Sequence, residues 1–336
     1  MKVAFLEPPA AQRVGGLDGA IRSLEKAMRT LGIDVLPSFE DGGASVVHFH
    51  GLWQPAHSRL SARLAARGVP FIVSPHGMLE PWAWRHKWWK KWPYFLLRER
   101  AHLRRASCLL ATAPEEATRL QAMVPGARVE ALPLGFTGDA APNYESAREQ
   151  LGWRDDETVL LFLSRLHEKK GLDLLLRALA RGGAPSGTRL AIVGGGEAAY
   201  VSSMRHLAAK LALPHVDWIG EVWGEARWPF FQGADLFCLP SHSENFGLAV
   251  LEACQTGTLA LTTDRTPWGA WLGGGRGIIA QPNDASVASA LARFFSQGKR
   301  SAEQRAALAN WTREHFSWNA LGPRYAALYR ELAERG

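Results

Sequence analysis

Charged side chains follow two apolar runs in the second half of this chain. Arg165 comes just after the run Thr158–Leu163, and Lys170 precedes the next helical pattern. Glu244 follows a second apolar run, Leu236–Leu239. Two cations in a loop beside a helix N-terminus form a site for an anion such as a phosphate. The spacing therefore predicts an anion site here, and the alternative is a solvated basic loop.

Glu252 is an acidic residue in a stretch that is apolar on nearly every side. An ionised carboxylate in such surroundings is costly unless it is paired or binds hydroxyl groups. The vicinal hydroxyls of a ribose are suitable partners, and a structural pair with one arginine is the alternative. The helix that carries Glu252 is predicted to begin near Asn245 or Phe246, which leaves its first N–H groups free for a ligand.

Two glycine-rich turns could bring the backbone close to a ligand. Gly194, Gly195 and Gly196 separate a predicted strand from a helix, and Gly15 and Gly16 precede the first predicted helix. Glycine permits a close approach because it has no Cβ. Turns of this kind are common between strands and helices, so neither one identifies a ligand by itself.

Three histidines follow or occupy strands in the first half. His48 and His50 share one face of a predicted strand, and His76 follows the run Pro70–Ser74. Two imidazoles can bind a metal, but no carboxylate or cysteine accompanies them, which favours packed or cleft-lining histidines. A lone histidine is more often structural. The position of His76 at the end of a strand nevertheless favours a role in a site.

The segment Trp82–Arg105 combines tryptophans with cations. It holds five tryptophans and eight lysines or arginines, but its single acid is Glu99. Pro93 is predicted to divide the segment into two helices. Helical spacing places one set on each side: Lys87, Lys91, Arg98 and Arg105 on the first, and Trp84, Trp88 and Phe95 on the second. Basic residues with interfacial tryptophans suit an anionic membrane surface. The alternative is an aromatic core beneath a solvated basic face.

Short apolar runs alternate with helical patterns along the chain. Such alternation predicts an α/β fold with parallel sheets that carry helices on both faces. Between Leu134 and Asp156 the apolar rhythm stops and glycines and charges accumulate, which is typical of a linker. The prediction is two Rossmann-like domains over residues 1–140 and 156–317. Ligands of such sheets bind beyond the carboxyl ends of the strands.

The composition limits the class of protein. The chain has 336 residues, enough for two domains, and a net charge of +7 that favours an anionic partner. Its three cysteines lack metal-binding spacing and are expected to be buried thiols in a reducing cytoplasm. The sequence shows no leader pattern and no apolar run that could span a bilayer, so a cytoplasmic or peripheral protein is expected. No nucleic-acid motif accompanies the basic segment, so a nucleic-acid partner is not expected.

Together these residues resemble family 4 of the retaining glycosyltransferases. That family has two glutamates separated by seven residues, which Glu244 and Glu252 match. It has an arginine after the first strand of the second domain and a lysine before a glycine, which Arg165 and Lys170 match. A glycine-rich turn corresponds to Gly194–Gly196. The resemblance implies the GT-B fold, in which two Rossmann-like domains face each other across a cleft and a C-terminal helix, here 318–336, crosses back to the first domain.

The resemblance also implies a role for each site residue. Arg165 and Lys170 would hold the donor diphosphate. Glu244 would bind hydroxyls of the donor sugar, and Glu252 would bind the ribose diol. His76 would contact the donor sugar near the reacting carbon. The remaining donor contacts would come from Gly15, Gly16, Gly194, Gly195, Gly196, Val222, Asn245, Phe246 and Gly247. Many members have Asn-Gly-Val-Asp near the end of the first domain, where this chain has Leu-Gly-Phe-Thr at 134–137.

The implied reaction is transfer of a sugar from a nucleotide diphosphate sugar to a hydroxyl of a glycan or lipid-linked acceptor. The strings around His48 and His76 are similar to those of members that assemble bacterial polysaccharide and lipopolysaccharide. Apart from this co-substrate no cofactor is expected, and no metal, because the sequence has no Asp-x-Asp pair. Two cations and a helix N-terminus can stabilise a departing diphosphate instead. The alternatives are a nucleotide-sugar epimerase on the same fold and a non-catalytic subunit that binds nucleotide sugar.

Overall fold

The computed structural model describes residues 1–8, 16–39, 43–85, 88–138, 142–182, 184–213 and 215–335, without the side chain of Arg85. The chain divides into two compact units. The first comprises Met1–Thr137 with His315–Gly336, and the second comprises Gly138–Glu314. The sequence predicted domains over residues 1–140 and 156–317, whereas the second unit begins at Gly138, so the stretch predicted as a linker belongs mostly to that unit.

Within the described residues each unit contains one parallel six-stranded sheet. The strands are β1 (Lys2–Leu6), β2 (Asp34–Leu36), β3 (Val46–His50), β4 (Phe71–Ser74), β5 (Cys108–Ala111), β6 (Val129–Ala131), β7 (Thr158–Leu163), β8 (Thr188–Val193), β9 (Val216–Gly220), β10 (Leu236–Leu239), β11 (Leu259–Thr263) and β12 (Gly277–Ala280). Their order is β2-β1-β3-β4-β5-β6 in the first unit and β12-β11-β10-β7-β8-β9 in the second. The predicted α/β fold with two parallel sheets is confirmed.

Helices separate the strands. They are α1 (Leu17–Thr30), α2 (Pro55–Ala66), α3 (Pro81–Arg85), α4 (Trp88–Tyr94), α5 (Arg100–Arg105), α6 (Pro114–Met123), α7 (Tyr144–Leu151), α8 (Leu172–Gly182), α9 (Ala198–Lys210), α10 (Trp228–Gly233), α11 (Leu248–Gln255), α12 (Trp268–Trp271), α13 (Asp284–Gln297), α14 (Ala302–Phe316) and α15 (Trp318–Arg335). In the first unit they cover both faces of the sheet. Val3 and Phe5 pack into one apolar cluster and Ala4 into the other, because successive side chains of a strand point to opposite faces.

The C-terminal helix α15 belongs to the first unit, as expected. Its residues Trp318, Tyr325 and Tyr329 are buried with α1 and with β1 in one apolar cluster. The Tyr325 hydroxyl donates to the carbonyl of Leu132 at 3.1 Å. Apolar burial and this hydrogen bond attach the end of the chain to the domain that contains its beginning.

The stretch that the sequence suggests as a linker contains a helix, α7, which lies in the second unit. Arg148 of α7 is buried, and its guanidinium pairs with the buried Asp235 at 3.2 Å. The sequence pattern missed this helix because its attachment to the domain is a buried ion pair in addition to apolar contacts.

Pro93 does not divide the basic segment, and that prediction is wrong. It lies inside α4, which continues through a π-helical turn, Phe95–Glu99, into α5. The wider π-helical turn keeps the chain helical beyond the proline. It also changes which side chains share a face: Phe95 is buried, whereas Trp88 is exposed. Among the residues that the structure describes, no helix is long and apolar enough to cross a bilayer.

Candidate active site

Lys170 and Glu244 form a partly buried ion pair at the carboxyl edge of the second sheet. The Lys170 Nζ donates to Glu244 Oε1 at 2.6 Å, and the Ser241 hydroxyl donates to the same oxygen at 2.7 Å. The loops that carry them follow β7 and β10, which are neighbours in the sheet although distant in sequence. Because the strand order reverses between these two strands, a crevice is expected beyond their carboxyl ends. The sequence did not predict that these two side chains pair with each other.

The charge of Glu244 is stabilised by its neighbours. Its burial alone would raise the pKa, but Lys170, Lys169 and the Ser241 hydroxyl outweigh that effect, so the pKa of Glu244 lies below its usual range. The carboxylate therefore stays ionised at neutral pH and accepts hydrogen bonds. An ionised carboxylate in this position can bind sugar hydroxyls.

Two backbone contacts fasten the β7 and β10 loops together. The amide of His242 donates to the carbonyl of Lys169 at 2.8 Å. Gly171 adopts a left-handed conformation, φ +71°, and a Cβ there would lie 2.2 Å from the carbonyl oxygen of Pro240. Only glycine permits that approach. Gly171 is thus required for the close contact between the Lys170 loop and the Glu244 loop.

Arg165 lies in the same β7 loop but is exposed. Its side chain makes no hydrogen bond or ion pair with the described part of the chain. The loop therefore carries one cation paired with Glu244 and one cation available to an anion. The predicted pair of cations at a strand end is present, although the helix α8 begins only at Leu172, after a 3₁₀ turn.

Glu252 pairs with an arginine, the alternative that the sequence left open. Its Oε1 accepts from the Arg227 guanidinium at 3.0 Å, and 23% of its side chain is exposed. Burial raises the pKa of Glu252 and Arg227 opposes that shift, which leaves the pKa above its usual value. Arg227 also stacks on Trp228, with its guanidinium carbon 4.4 Å from the ring centroid. Binding of a ribose by Glu252 stays a prediction.

The helix that carries Glu252 begins later than predicted. It starts at Leu248, and Gly247 precedes it with φ +81°, a left-handed conformation that cannot continue a helix toward the N-terminus. Asn245 and Phe246 therefore lie in the loop. The Trp268 indole holds this loop by donating to the carbonyl of Phe246 at 2.6 Å.

The glycine turn after β8 packs against the Arg165 loop. A Cβ on Gly194 would lie 1.9 Å from the Ser164 carbonyl oxygen, and one on Gly196 would lie 2.1 Å from that of Leu166. A Cβ on Gly195 would lie 2.1 Å from the Glu221 carboxylate. These glycines are needed for contacts within the protein, whatever they contact in a ligand. Glu221, from the turn after β9 that the resemblance implies would contact the nucleobase, covers this turn.

The structure describes Val222 and Gly16, two other predicted donor contacts, but not Gly15. Val222 lies in the loop after β9, and the amide of Gly194 donates to the carbonyl of Gly220 at the end of that strand at 2.7 Å. Val222 is therefore near the glycine turn. Gly15 lies outside the described residues. Gly16 is described, and it is the residue that precedes α1.

Three histidines of the first unit, His48, His50 and His76, lie together in one group. His48 and His50 lie with ring centroids 3.9 Å apart, and a hydrogen bond of 3.0 Å joins His50 Nδ1 to His76 Nε2. Burial lowers the pKa of His76 to about 4, and burial also holds the pKa values of His48 and His50 well below the usual value. All three are neutral at pH 7. His48 and His50 are packed, which is one of the two interpretations that the sequence left open. Contact of His76 with a donor sugar stays a prediction, and its buried Nδ1 has no hydrogen-bond partner among the described residues.

Glu116 fixes the turn that carries His76, and sequence reasoning missed it. Its carboxylate accepts from the amide of Gly77 at 2.8 Å and from the amide of Thr112 at 2.8 Å. His76 has φ +51°, a strained value for a non-glycine residue. A buried carboxylate that binds two loop amides can hold such a turn. No sequence signal separated Glu116 from an ordinary acid in the first turn of a helix.

The described residues contain no group of three or more histidine, cysteine or acidic side chains that could hold a metal ion. The three cysteines are buried and not in disulfides, as expected. Burial raises the pKa of the Cys108 thiol to about 12. These thiols are therefore not nucleophiles at neutral pH.

Solved structures share this fold over nearly the whole chain. Sucrose-phosphate synthase from Thermosynechococcus elongatus aligns with a TM-score of 0.80 and 19% identity, covering 100% of both chains. Anabaena HepE in complex with UDP and glucose aligns with a TM-score of 0.78 and 18% identity, covering 98% of this chain and 100% of that one. Identities this low show the fold alone, which is GT-B.

Sequence comparisons identify the family. D-inositol 3-phosphate glycosyltransferase from Acidothermus cellulolyticus is 33% identical over 238 residues, which are 66% of this chain and 50% of that protein. The chain thus spans about half the length of this curated relative. The model of "Glycosyl transferase 4-like domain" matches residues 3–135, and that of "Glycosyl transferases group 1" matches residues 143–315. The chain therefore belongs to the group 1 glycosyltransferases, and the resemblance to family 4 is confirmed.

Proposed function

We propose that this protein transfers a sugar from a nucleotide diphosphate sugar to a hydroxyl of a glycan or lipid-linked acceptor, with retention of the anomeric configuration and without a metal. The observation that carries the proposal is the Lys170–Glu244 pair at the switch point of the second sheet, with Arg165 beside it. An anionic donor needs cations, and its sugar needs a carboxylate. This arrangement supplies both within adjacent loops.

Departure of the nucleoside diphosphate leaves negative charge on the phosphate and positive charge on the sugar ring. Arg165 and Lys170 would stabilise the leaving phosphate, in the role that a divalent cation has in other enzymes. The new bond forms between the sugar carbon and the acceptor oxygen, and the acceptor proton passes to the departing phosphate. His76 is neutral at pH 7, so it would hydrogen-bond to the donor sugar and not act as an acid.

The proposal predicts that Glu252→Gln raises the KM for the donor at least tenfold, because a neutral amide binds the ribose diol less well than a carboxylate. Arg165→Ala should lower kcat at least a hundredfold, since it removes stabilisation of developing charge. The measurement is a donor-transfer assay with and without EDTA. Glu303→Gln, on the exposed start of α14, is the charge-matched control.

The outcomes separate the alternatives. Undiminished transfer in Arg165→Ala, or activity lost with EDTA and restored by Mn²⁺, would overturn the proposal. Turnover of the donor with no acceptor present would indicate an epimerase, and nucleotide binding without turnover would indicate a non-catalytic subunit. A thermal-shift panel of UDP, GDP, ADP and CMP identifies the donor base, because a ligand that binds the folded state raises Tm.

We also propose that the protein is peripheral on the inner face of the cytoplasmic membrane, through the segment Trp82–Arg105. Of the large apolar side chains that are exposed on the described residues, five lie between positions 88 and 97: Trp88, Trp89, Trp92, Leu96 and Leu97. Leu97 is 80% exposed, and Lys90 and Arg98 are exposed beside it. An apolar surface flanked by cations fits the interface of an anionic bilayer. Trp84 and Phe95 instead pack together inside the unit, so the segment has both a buried and an exposed aromatic side.

Co-sedimentation with vesicles tests this surface. We expect binding to vesicles with 30% anionic lipid, weak binding to neutral vesicles, and loss of at least tenfold in partition coefficient for Trp92→Ser with Leu97→Ser. Trp223→Ser is the matched control, because Trp223 is 73% exposed in the second unit. Equal binding of neutral and anionic vesicles, or an equal loss in the control, would contradict the proposal.

A further inference from the structure

A cationic cavity lies at the end of the second sheet opposite to the loops of Lys170 and Glu244. Its volume is about 510 Å³, and Leu259 and Gly277, at the amino ends of β11 and β12, line it. The proposed donor loops follow the carboxyl ends of the strands. Because β11 has five residues, about 15 Å separates the two edges of the sheet. The cavity is therefore distinct from the proposed donor site.

Arg300 lines this cavity as a half-buried cation. It donates one hydrogen bond, to the carbonyl of Gly275, although a guanidinium has five N–H donors. No carboxylate of the described residues lies within ion-pair distance of it. Burial lowers the pKa of Arg300, as expected for a cation that is partly removed from water without an acidic partner. Such an arrangement is costly unless an anion compensates it.

A cluster of cations that includes Lys299 adjoins the cavity. Three cations surround the single buried carboxylate of Asp235: Arg148 at 3.2 Å, Arg305 at 3.7 Å and Lys299 at 3.9 Å. Within the described residues these three cations have no other carboxylate within ion-pair distance, although Asp155 also acts electrostatically on Lys299, so cations outnumber acids in the cluster. Lys299 itself lines the cavity. The local field in the cavity therefore favours an anion.

The other lining residues could also contact an organic group attached to the anion. Arg293 and Gln297 of α13 supply further donors, and Ile278 and Phe294 supply an apolar surface. The volume lies within the range of cavities that bind small metabolites, about 300 to 1,000 Å³. A phosphate beside Arg300 with a sugar-sized group over the apolar wall would occupy it.

We propose that this cavity is a binding site for a phosphate monoester of about the size of a sugar phosphate, separate from the donor site. The phosphate would accept hydrogen bonds from the guanidinium of Arg300 and from Arg293. The attached polyol would contact Gln297 and the apolar wall.

Calorimetric titration of the full chain with glucose 6-phosphate, inorganic phosphate and glucose tests the site. We expect saturable binding of the two phosphates and none of glucose. Arg300→Gln should raise the Kd for glucose 6-phosphate at least tenfold. Arg177→Gln, at an exposed arginine of α8 in the same unit, should leave it within twofold.

Two further variants decide the location. Arg165→Ala removes the exposed cation of the donor loops, and it should leave the Kd for glucose 6-phosphate unchanged. Binding that is lost in Arg165→Ala and kept in Arg300→Gln would place the phosphate at the donor loops and overturn the proposal. Absence of binding to the wild type would overturn it as well. If Arg300→Gln fails to fold, the exposed Arg293→Gln decides, because an unchanged Kd in that variant contradicts the site.

Discussion

Glu244 and Glu252 of the second unit each pair with a cation, but the surroundings of the two carboxylates differ. Glu244 accepts from Lys170 and from Ser241, and its pKa is lowered despite burial. Glu252 accepts from Arg227, and burial prevails, so its pKa is raised. The number of donors around each carboxylate accounts for the difference. The two positions of the family motif are therefore not equivalent in charge stability.

Lys170→Met should destabilise the protein by about 3 kcal/mol at pH 7, because it leaves the Glu244 carboxylate buried without its cation. The lowered folded-state pKa of Glu244 contributes stability above the unfolded pKa, and this is lost as pH falls through the folded value. The gap between wild type and variant should therefore close below about pH 4. Urea unfolding between pH 3 and pH 8 measures it.

Lys210→Met, on the exposed end of α9, is the charge-matched control and should change stability by less than about 0.5 kcal/mol. A gap between wild type and Lys170→Met that does not depend on pH would show that packing, and not the Glu244 charge, causes the loss.

At the scale of elements, the π-helical turn Phe95–Glu99 joins the exposed apolar surface to the interior of the first unit. Leu96 and Leu97 are exposed on it, while Glu99 is buried. The Glu99 carboxylate accepts from the amide of Trp53 at 3.1 Å, and burial raises its pKa to about 7. Trp53 has φ +68°, so this hydrogen bond holds a strained turn after β3.

Glu99→Gln should stabilise the protein at pH 8 by up to about 3 kcal/mol, because the folded wild type must ionise a buried acid there. A raised folded-state pKa means that stability is full below the unfolded value, near 4.5, and falls as pH rises to about 7. The glutamine can still accept from Trp53. Thermal unfolding at pH 5 and pH 8 measures the difference.

Glu115→Gln, at an exposed acid in the first turn of α6, should show no such dependence on pH. If Glu99→Gln were equally stable or less stable than the wild type at both pH values, the pKa of Glu99 would not be raised in the folded protein.

At the scale of the whole molecule, the end of the chain completes the domain that holds its beginning. Trp318 of α15 lies over Gly135, where a Cβ would come within 2.7 Å of the indole ring. Its indole N–H donates to Ser23 at 2.6 Å, and its ring meets Tyr325 edge to face. The string at 134–137, where the chain departs from the family pattern, thus has a packing role in the first unit.

Trp318→Ala should lower the stability of the first unit by about 4 kcal/mol, since it leaves a cavity where a large buried ring packed. Scanning calorimetry should show one transition shifted to lower temperature. Under the proposed function, stabilisation of the second unit by a nucleoside diphosphate should remain. Trp223→Ala is the control, and an equal shift in that variant would contradict the assignment.

The apolar runs Thr158–Leu163, Leu236–Leu239 and Pro70–Ser74 coincide with β7, β10 and β4 within one residue, since buried parallel strands are continuous apolar runs. It missed β2, which has three residues, and α7, whose burial depends on Arg148. It predicted a break at Pro93 because local rules exclude proline from helices. The π-helical turn that follows Pro93 is a tertiary solution that those rules do not contain.

The sequence by itself determined the fold class, the family and the loops where the charged residues stand, because strand ends and motif spacing are local properties. Only the tertiary structure decided the partner of each charge. Lys170 and Glu244 meet because β7 and β10 are neighbours, whereas none of the described carboxylates lies within ion-pair distance of Arg300. Pairing in space depends on strand order and packing, which the spacing of residues along a chain does not encode.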